Sequence, residues 1–132
     1  MQQPPTIAIA DDYEPLCREL SRMLRALGFG ICIQATHGQD LLMQLGAAAS
    51  PLPTLCLLDI NMPVMDGYET ARHLKELYPE IKVLAMSFDK EPQEIEKILQ
   101  AGAHAFIFKD SPPDAFKEKL LGLCDGDVTR SA

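Results

Sequence analysis

Polar side chains stand directly after four apolar runs of this chain, at the point where each run ends. Carboxylates, a hydroxyl and an ammonium group are all represented: Asp11 and Asp12, Asp59, Ser87, and Lys109. One such residue after an apolar run is usually a helix cap or a turn residue. If the four runs were neighbouring strands of a parallel sheet, all five groups would meet at one edge of it. The spacing therefore predicts one small polar site.

Three carboxylates in such a site need compensating charge. Two like charges about 4 Å apart repel by roughly 4 kcal/mol at an effective dielectric constant of 20. Lys109 supplies a single positive charge, which does not balance Asp11, Asp12 and Asp59. A hard divalent cation with oxygen ligands would supply the rest, and Mg²⁺ keeps positions that phosphate oxygens can fill. We therefore expect Mg²⁺ and a phosphoryl group here; the alternative is that the three acids are only caps and turn residues.

Short β-like runs alternate five times with amphipathic helix-like runs. The predicted strands cover residues 6–10, 31–35, 55–58, 82–86 and 105–108. The predicted helices cover about 14–27, 36–45, 66–77, 91–100 and 111 onward. Strands one, three, four and five are apolar almost throughout, which is typical of strands covered on both faces. This alternation predicts an α/β fold with a doubly wound parallel sheet and five helices.

The helix ends carry their own signals. Pro15 suits the first turn of the first helix, and Gly28 suits the left-handed position just past its end. The last helix is expected to begin near Ser111 with an inner face of three residues: Phe116, Leu120 and Cys124. Two pairs have capping-box spacing and should open the second and third helices: Thr36 with Gln39, and Asp66 with Glu69.

Composition and charge exclude several kinds of protein. The net charge of −7 argues against binding to nucleic acid, which relies on a basic face. No apolar run approaches the roughly 18 residues of a membrane span, and the first residues lack the features of a signal peptide, so we expect a cytoplasmic protein that does not bind membranes. The three histidines are scattered and are expected at the surface or in loops. The cysteines form no C-x-x-C pair and are expected to be small buried residues in a reducing cytosol: Cys17, Cys32, Cys56 and Cys124.

Taken together, these motifs resemble the receiver domain of two-component response regulators over residues 6–123. The resembling segments are Asp11-Asp12, the stretch 57–67 (Leu-Leu-Asp-Ile-Asn-Met-Pro-Val-Met-Asp-Gly), Ser87, and Ala101-Gly102-Ala103 leading to Phe106-Ile107-Phe108-Lys109. The resemblance implies a flavodoxin-like sheet in the order 2-1-3-4-5. It also implies that residues 1–132 are a single receiver domain, with a core of about 6–123 and a short tail at 124–132.

The resemblance further implies roles for the acidic residues. Asp59 matches the phospho-acceptor, which takes a phosphoryl group from a sensor histidine kinase or a histidine phosphotransfer protein. Asp12 matches the acid that binds Mg²⁺ directly, and Asp11 its partner acting largely through water. The backbone carbonyl of Asn61 would complete the protein's share of the magnesium shell, and Lys109 would neutralise the phosphoryl oxygens.

Ser87 and Phe106 match the switch residues of the family. Ser87 would reach for a phosphoryl oxygen, and Phe106 would change rotamer with it, which biases the face formed by helix four, strand five and helix five. The chain departs from the usual pattern at Phe88, where a small residue often stands, and at Asp110, where proline often follows the lysine. Asn61 and Asp89 occupy positions that tune how long the phosphate lasts in the family.

Function is therefore expected to be a phosphorylation-dependent switch and not a turnover enzyme. An aspartate-nucleophile phosphatase would need a second acid two residues past Asp59, where Asn61 stands. A phosphorylation-independent interaction module is disfavoured by the full acidic set with Ser87 and Lys109. Two alternatives stay open for the output: a stand-alone receiver acting on a target protein, or one domain of a longer regulator with an output domain. A homodimer also stays open.

Overall fold

Five parallel strands form one sheet with helices on both sides in the computed structural model, which describes residues 5–47 and 51–125. The elements are β1 (Thr6–Ala10), α1 (Glu14–Ala26), β2 (Gly30–Ala35), α2 (Gly38–Ala47), β3 (Leu55–Asp59), α3 (Gly67–Leu77), β4 (Lys82–Ser87), α4 (Pro92–Ala101), β5 (Ala105–Phe108) and α5 (Pro113–Cys124). The strand order is β2-β1-β3-β4-β5, and every pairing is parallel. The predicted α/β class, flavodoxin-like topology and strand order are confirmed. Of the predicted tail at 124–132, Cys124 is the last residue of α5, and residues 126–132 lie outside the described residues.

The sheet separates two hydrophobic clusters, one on each face. Residues of α2, α3 and α4 pack on one face, where Leu58 is buried. Residues of α1 and α5 pack on the other face, where Leu57 is buried. Because neighbouring residues of a strand point to opposite faces, a strand covered on both sides is apolar at every position. The continuous apolar run of β3 therefore indicated burial on both faces correctly, since β3 is buried along its full length.

The edge strands β2 and β5 depart from the predicted burial. In β5 only Ile107 is fully buried, since the strand has a neighbour on one side alone. In β2 the burial alternates, and Cys32 is exposed. The prediction that Cys32 is buried was therefore wrong. In α5 the inner face is completed by Leu123 and not by Cys124, which is half-buried.

The predicted cap of α3 is present, whereas that of α2 is replaced. The Asp66 side chain accepts a hydrogen bond from the Glu69 N–H at 2.9 Å, as predicted for α3. At α2 the predicted pair Thr36 and Gln39 was wrong, because the Asp40 N–H donates to His37 Nδ1 at 3.1 Å.

A close approach between two helices requires glycine at the start of α2. A Cβ atom on Gly38 would lie 1.8 Å from the Thr70 hydroxyl oxygen, so only glycine fits where α2 meets α3. The helix begins at Gly38, and the preceding His37 takes the capping position.

Other helix boundaries fall within a residue or two of the prediction. Pro15 lies in the first turn of α1, and Gly28 follows that helix with a φ of 105°. In α4, Ile98 is fully covered, whereas Leu99 is exposed. No helix in the described part of the chain is long and apolar enough to span a membrane.

Candidate functional site

The polar residues predicted to share one site do converge at the carboxyl ends of the strands. Asp11 and Asp12 follow β1, Asp59 and Ser87 end β3 and β4, and Lys109 follows β5. Parallel register keeps these ends level, since the sheet pairs Asp59 with Met86 and Ser87 with Phe108. Carboxylate oxygens of Asp11, Asp12 and Asp59 lie within 4.8 Å of one another. This acidic cluster is the feature around which the site is built.

Lys109 reaches into the cluster from the neighbouring loop. Its Nζ lies 2.8 Å from Asp11 Oδ2 and 3.1 Å from Asp59 Oδ1. All three side chains are almost wholly buried, so the contacts are shielded from solvent. One ammonium group therefore faces two buried carboxylates, with the exposed carboxylate of Asp12 beside them.

The acidic cluster has capacity for a cation. Asp11 Oδ1 accepts the backbone N–H of Tyr13 at 2.9 Å. Apart from its ion pair with Lys109, Asp11 Oδ2 has no hydrogen-bond partner among the described residues. Buried carboxylate oxygens are normally satisfied, so an oxygen with spare lone pairs beside two further carboxylates fits a hard cation with oxygen ligands.

Burial sets the protonation of Asp59. Desolvation raises the pKa of its carboxyl group to about 7, although the nearby Lys109 ammonium lowers it. The charge of Asp11 raises it further, and the Asn61 N–H, 3.3 Å from Asp59 Oδ1, lowers it. Without a cation, Asp59 is thus poised between its neutral and charged forms near neutral pH.

Ser87 presents its hydroxyl from the end of β4. The side chain is buried, and its Oγ accepts the Asp89 N–H at 2.9 Å. Asp89 Oδ1 in turn accepts the N–H of Glu91 at 3.1 Å, which leads into α4. Since a hydroxyl both donates and accepts, Ser87 retains its hydrogen for a further acceptor in the site.

The loop between β3 and α3 is held tightly against Asp59. Gly67 donates its N–H to the Ile60 carbonyl at 2.8 Å, and a Cβ there would lie 2.5 Å from the Asp59 carbonyl oxygen. Val64 at the loop tip has a φ of 68°, a left-handed conformation that costs energy for a β-branched residue. The sequence analysis treated Gly67 only as loop punctuation and did not find its packing role.

The site opens to solvent as a cavity of about 300 Å³. Its lining residues are Asp12, Tyr13, Leu16, Asp59, Asn61, Ser87, Phe88, Asp89 and Lys109. Tyr13 and Leu16 were not predicted, and their only signal was proximity to Asp12 in the sequence. Phe106 is not part of the lining. It is half-buried on β5, with its ring edge-to-face against Phe108 at 5.1 Å between centroids.

Comparisons with known proteins add family information. A family model described as the response regulator receiver domain matches residues 7–121. The nitrate/nitrite response regulator NarL of Escherichia coli K12 is 29% identical over 132 residues, which cover 98% of this chain and 59% of that protein. The response regulator GacA of Pseudomonas protegens is 31% identical over 104 residues, which cover 78% of this chain and 47% of that protein. The chain thus spans about half the length of these curated relatives.

A solved structure resembles the fold closely. The signal receiver domain of the response regulator NarL from Mycobacterium tuberculosis superposes with a TM-score of 0.86 at 27% identity. The superposition covers 95% of this chain and 99% of that one. The chemotaxis protein CheY4 of Vibrio cholerae shares the fold, with a TM-score of 0.79 at 21% identity.

Proposed function

This chain belongs to the response regulator receiver domain family, and we propose that it accepts a phosphoryl group on Asp59 from a phosphohistidine of a sensor histidine kinase or a histidine phosphotransfer protein. The observation that carries the proposal is the setting of Asp59. Its carboxylate ends the central strand β3, lines a solvent-open cavity and lies 3.1 Å from Lys109 Nζ. A nucleophile in this place is reachable from outside while its charge is balanced from within.

The transfer itself would exchange one bond to phosphorus for another. An oxygen of Asp59 forms a bond to phosphorus while the bond between phosphorus and the donor histidine nitrogen breaks. The electron pair of that bond stays on the imidazole nitrogen. Lys109 lies where it would balance the negative charge of the transferred phosphoryl oxygens, which is the main requirement of phosphoryl transfer.

We propose that Asp11, Asp12 and Asp59 hold Mg²⁺, together with the backbone carbonyl of Asn61. The all-oxygen donor set and the excess of negative charge over Lys109 support this assignment. Asp12 is exposed in the cavity lining and suits direct binding, whereas Asp11 is buried against Lys109 and suits binding through water. When bound, Mg²⁺ supplies positive charge that reduces the repulsion between the carboxylates and a phosphoryl group.

Ser87 and Phe106 are proposed as the switch that reads the modification. The Ser87 hydroxyl keeps a hydrogen to donate to a phosphoryl oxygen, and its loop leads directly into α4. Phe106 lies on the adjacent strand, where a change of its rotamer would alter packing near α4. The chain would act in the cytoplasm as a switch and not as a turnover enzyme, with its α4–β5–α5 face addressing an output domain, a target protein or a second copy.

Labelling with a small phosphodonor tests the acceptor. Acetyl phosphate with Mg²⁺ should add one phosphoryl group to the wild type, detected as a mass increase, and Asp59→Ala should abolish it. Asp114→Ala, which removes an exposed carboxylate at the start of α5, is the matched control and should label normally. Chelation of Mg²⁺ should suppress labelling. Labelling of Asp59→Ala at the wild-type level would contradict the assignment of Asp59 as the phosphoryl acceptor.

Beryllofluoride separates the switch from a phosphorylation-independent interaction module. The switch requires that this phosphoryl mimic change the amide NMR signals of α4 and β5. If it binds Asp59 and leaves those signals unchanged, the interaction-module alternative is favoured.

A further inference from the structure

Two loops that border the site are tied together by one lysine. Lys90 lies in the loop between β4 and α4, and Asp110 lies in the loop between β5 and α5. Lys90 Nζ is 3.2 Å from each carboxylate oxygen of Asp110. The same ammonium group lies 4.2 Å from the centroid of the Phe108 ring. We call this arrangement of Lys90, Phe108 and Asp110 the Lys90 clamp.

Phe88 lies in the same loop as Lys90, two residues before it. Its ring is 59% exposed, lines the cavity and has its centroid 5.3 Å from Lys109 Nζ. A large ring with this exposure is not fixed by core packing, so its position follows the position of its loop. The ring therefore lies on the Lys109 side of the cavity.

The other side-chain hydrogen bonds of this loop are local. The Asp89 N–H donates to Ser87, and the Glu91 N–H donates to Asp89, so each joins residues two positions apart. The backbone ties the two loops where they leave the sheet, since the Lys109 N–H donates to the Ser87 carbonyl at 3.0 Å. Lys90 adds a side-chain tie three residues further along the loop, because its partner Asp110 is twenty positions away along the chain.

We propose that Lys90 is a positioning residue for the chemistry at Asp59: the clamp holds the Phe88 ring over the Lys109 side of the cavity and narrows the approach to Asp59. Lys90 contacts neither Asp59 nor Lys109 and acts through the loop. The inference rests on the proposed role of Asp59 as the phosphoryl acceptor. The narrowed approach would hinder both a small phosphodonor and water from reaching Asp59.

Phosphate loss is the step in which water is the second reactant. A water oxygen forms a bond to phosphorus while the bond between phosphorus and the Asp59 oxygen breaks. Inorganic phosphate leaves, the carboxylate is regenerated, and the water proton passes to solvent or to phosphate. A ring that limits the approach of water therefore prolongs the phosphorylated state.

The clamp is weak enough to open. Both charged partners are 57% exposed, and exposed ion pairs and cation–π contacts contribute little to stability individually. Loss of the clamp should therefore change rates by about threefold, and the change should shrink at high ionic strength, where the ion pair is screened.

Rate measurements on Lys90→Met test the proposal. We expect about threefold faster labelling by acetyl phosphate and about threefold faster phosphate loss. The gain should be larger for acetyl phosphate than for the smaller donor phosphoramidate, since a narrowed approach discriminates by size, whereas general damage would slow both. Lys90→Arg should restore wild-type rates. Lys97→Met is the matched control, because Lys97 also makes a cation–π contact, with the Tyr68 ring at 4.4 Å, but neither of these two residues lines the cavity. Unchanged or slower rates in Lys90→Met would overturn the proposal.

A second measurement does not depend on phosphorylation. The chain contains no tryptophan, so Phe88→Trp introduces a single indole reporter at the ring position. Acrylamide should quench this indole more strongly in the Phe88→Trp protein with Lys90→Met than in the Phe88→Trp protein alone. Addition of Lys97→Met should leave the quenching unchanged. No difference between the two would refute the clamp. If the quenching changes but wild-type protein never labels at Asp59, the proposed function fails while the loop geometry stands.

Discussion

Replacement of Asp59 by asparagine should stabilise the metal-free protein, and more so at higher pH. Desolvation by burial, although opposed by Lys109, and the charge of Asp11 raise the pKa of this carboxyl group from an ordinary value of 3.8 to about 7. The folded state therefore binds this proton more tightly than the unfolded state does. That contribution to stability is fully present below the unfolded pKa and is lost as the pH rises through the folded one.

The magnitude follows from the size of the shift. Three pKa units at 1.36 kcal/mol each give about 4 kcal/mol of destabilisation once Asp59 is ionised in both states, which is nearly complete at pH 8. At pH 5 the same shift gives about 2 kcal/mol. Asparagine has the shape of the protonated acid and no charge, and Lys109 keeps its 2.8 Å partner Asp11. We expect Asp59→Asn to gain up to about 4 kcal/mol at pH 8 and about half of that at pH 5.

Urea unfolding with EDTA at the two pH values measures this difference. Glu80→Gln makes the same chemical change at an exposed position and should alter the free energy of unfolding by less than about 0.5 kcal/mol at both. Added Mg²⁺ should narrow the gap, because a cation bound by the folded wild type stabilises it by mass action. A variant that is no more stable than the wild type at pH 8 would refute the electrostatic account of the site.

Three further substitutions test other parts of the structure. Val64→Gly should raise the free energy of unfolding by about 1 kcal/mol, since the φ of 68° suits glycine and little packing is lost at an exposed tip; Val64→Ala keeps the strain and should change little in the same urea titration. Gly67→Ala should lower thermal stability by about 1–3 kcal/mol and impair labelling of Asp59, whose carbonyl the new Cβ would crowd; wild-type melting would contradict this. His104 accepts the Val83 N–H at 3.0 Å, and burial, then Lys82 and Lys75, lower its pKa. The folded state thus keeps the imidazole neutral, and the contribution of His104 to the free energy of unfolding is lost as the pH falls below 6.5. His104→Gln, made in the Asp59→Asn background, should therefore reduce the loss of stability between pH 7 and 5.

Local signals in the sequence were sufficient for much of the fold. Pro15 and Gly28 bound the first helix as expected, because proline and a left-handed glycine act through their own backbone. The continuous apolar runs identified central strands, since burial on both faces leaves no polar position. Signals of this kind need no knowledge of what lies across the sheet.

Predictions failed where contacts with a segment distant in the sequence determine the local structure. His37 caps α2 in place of Thr36, and Gly38 packs against Thr70, an approach that no pattern near Gly38 announces. Cys32 is exposed at a register shift, where β1 pairs Ile7 with Ile31 and Ala8 with Ile33, and such a shift depends on the pairing of two separate segments.

The sequence by itself determined which groups stand at the strand ends and hence the chemistry of the acidic site. Residue type and position after an apolar run are local properties, and parallel pairing then brings the ends together. Only the tertiary structure decided how those groups share charge. Lys109 serves both Asp11 and Asp59, and Lys90 ties its loop to Asp110, because side-chain contacts between separate loops depend on distances in space that sequence spacing does not contain.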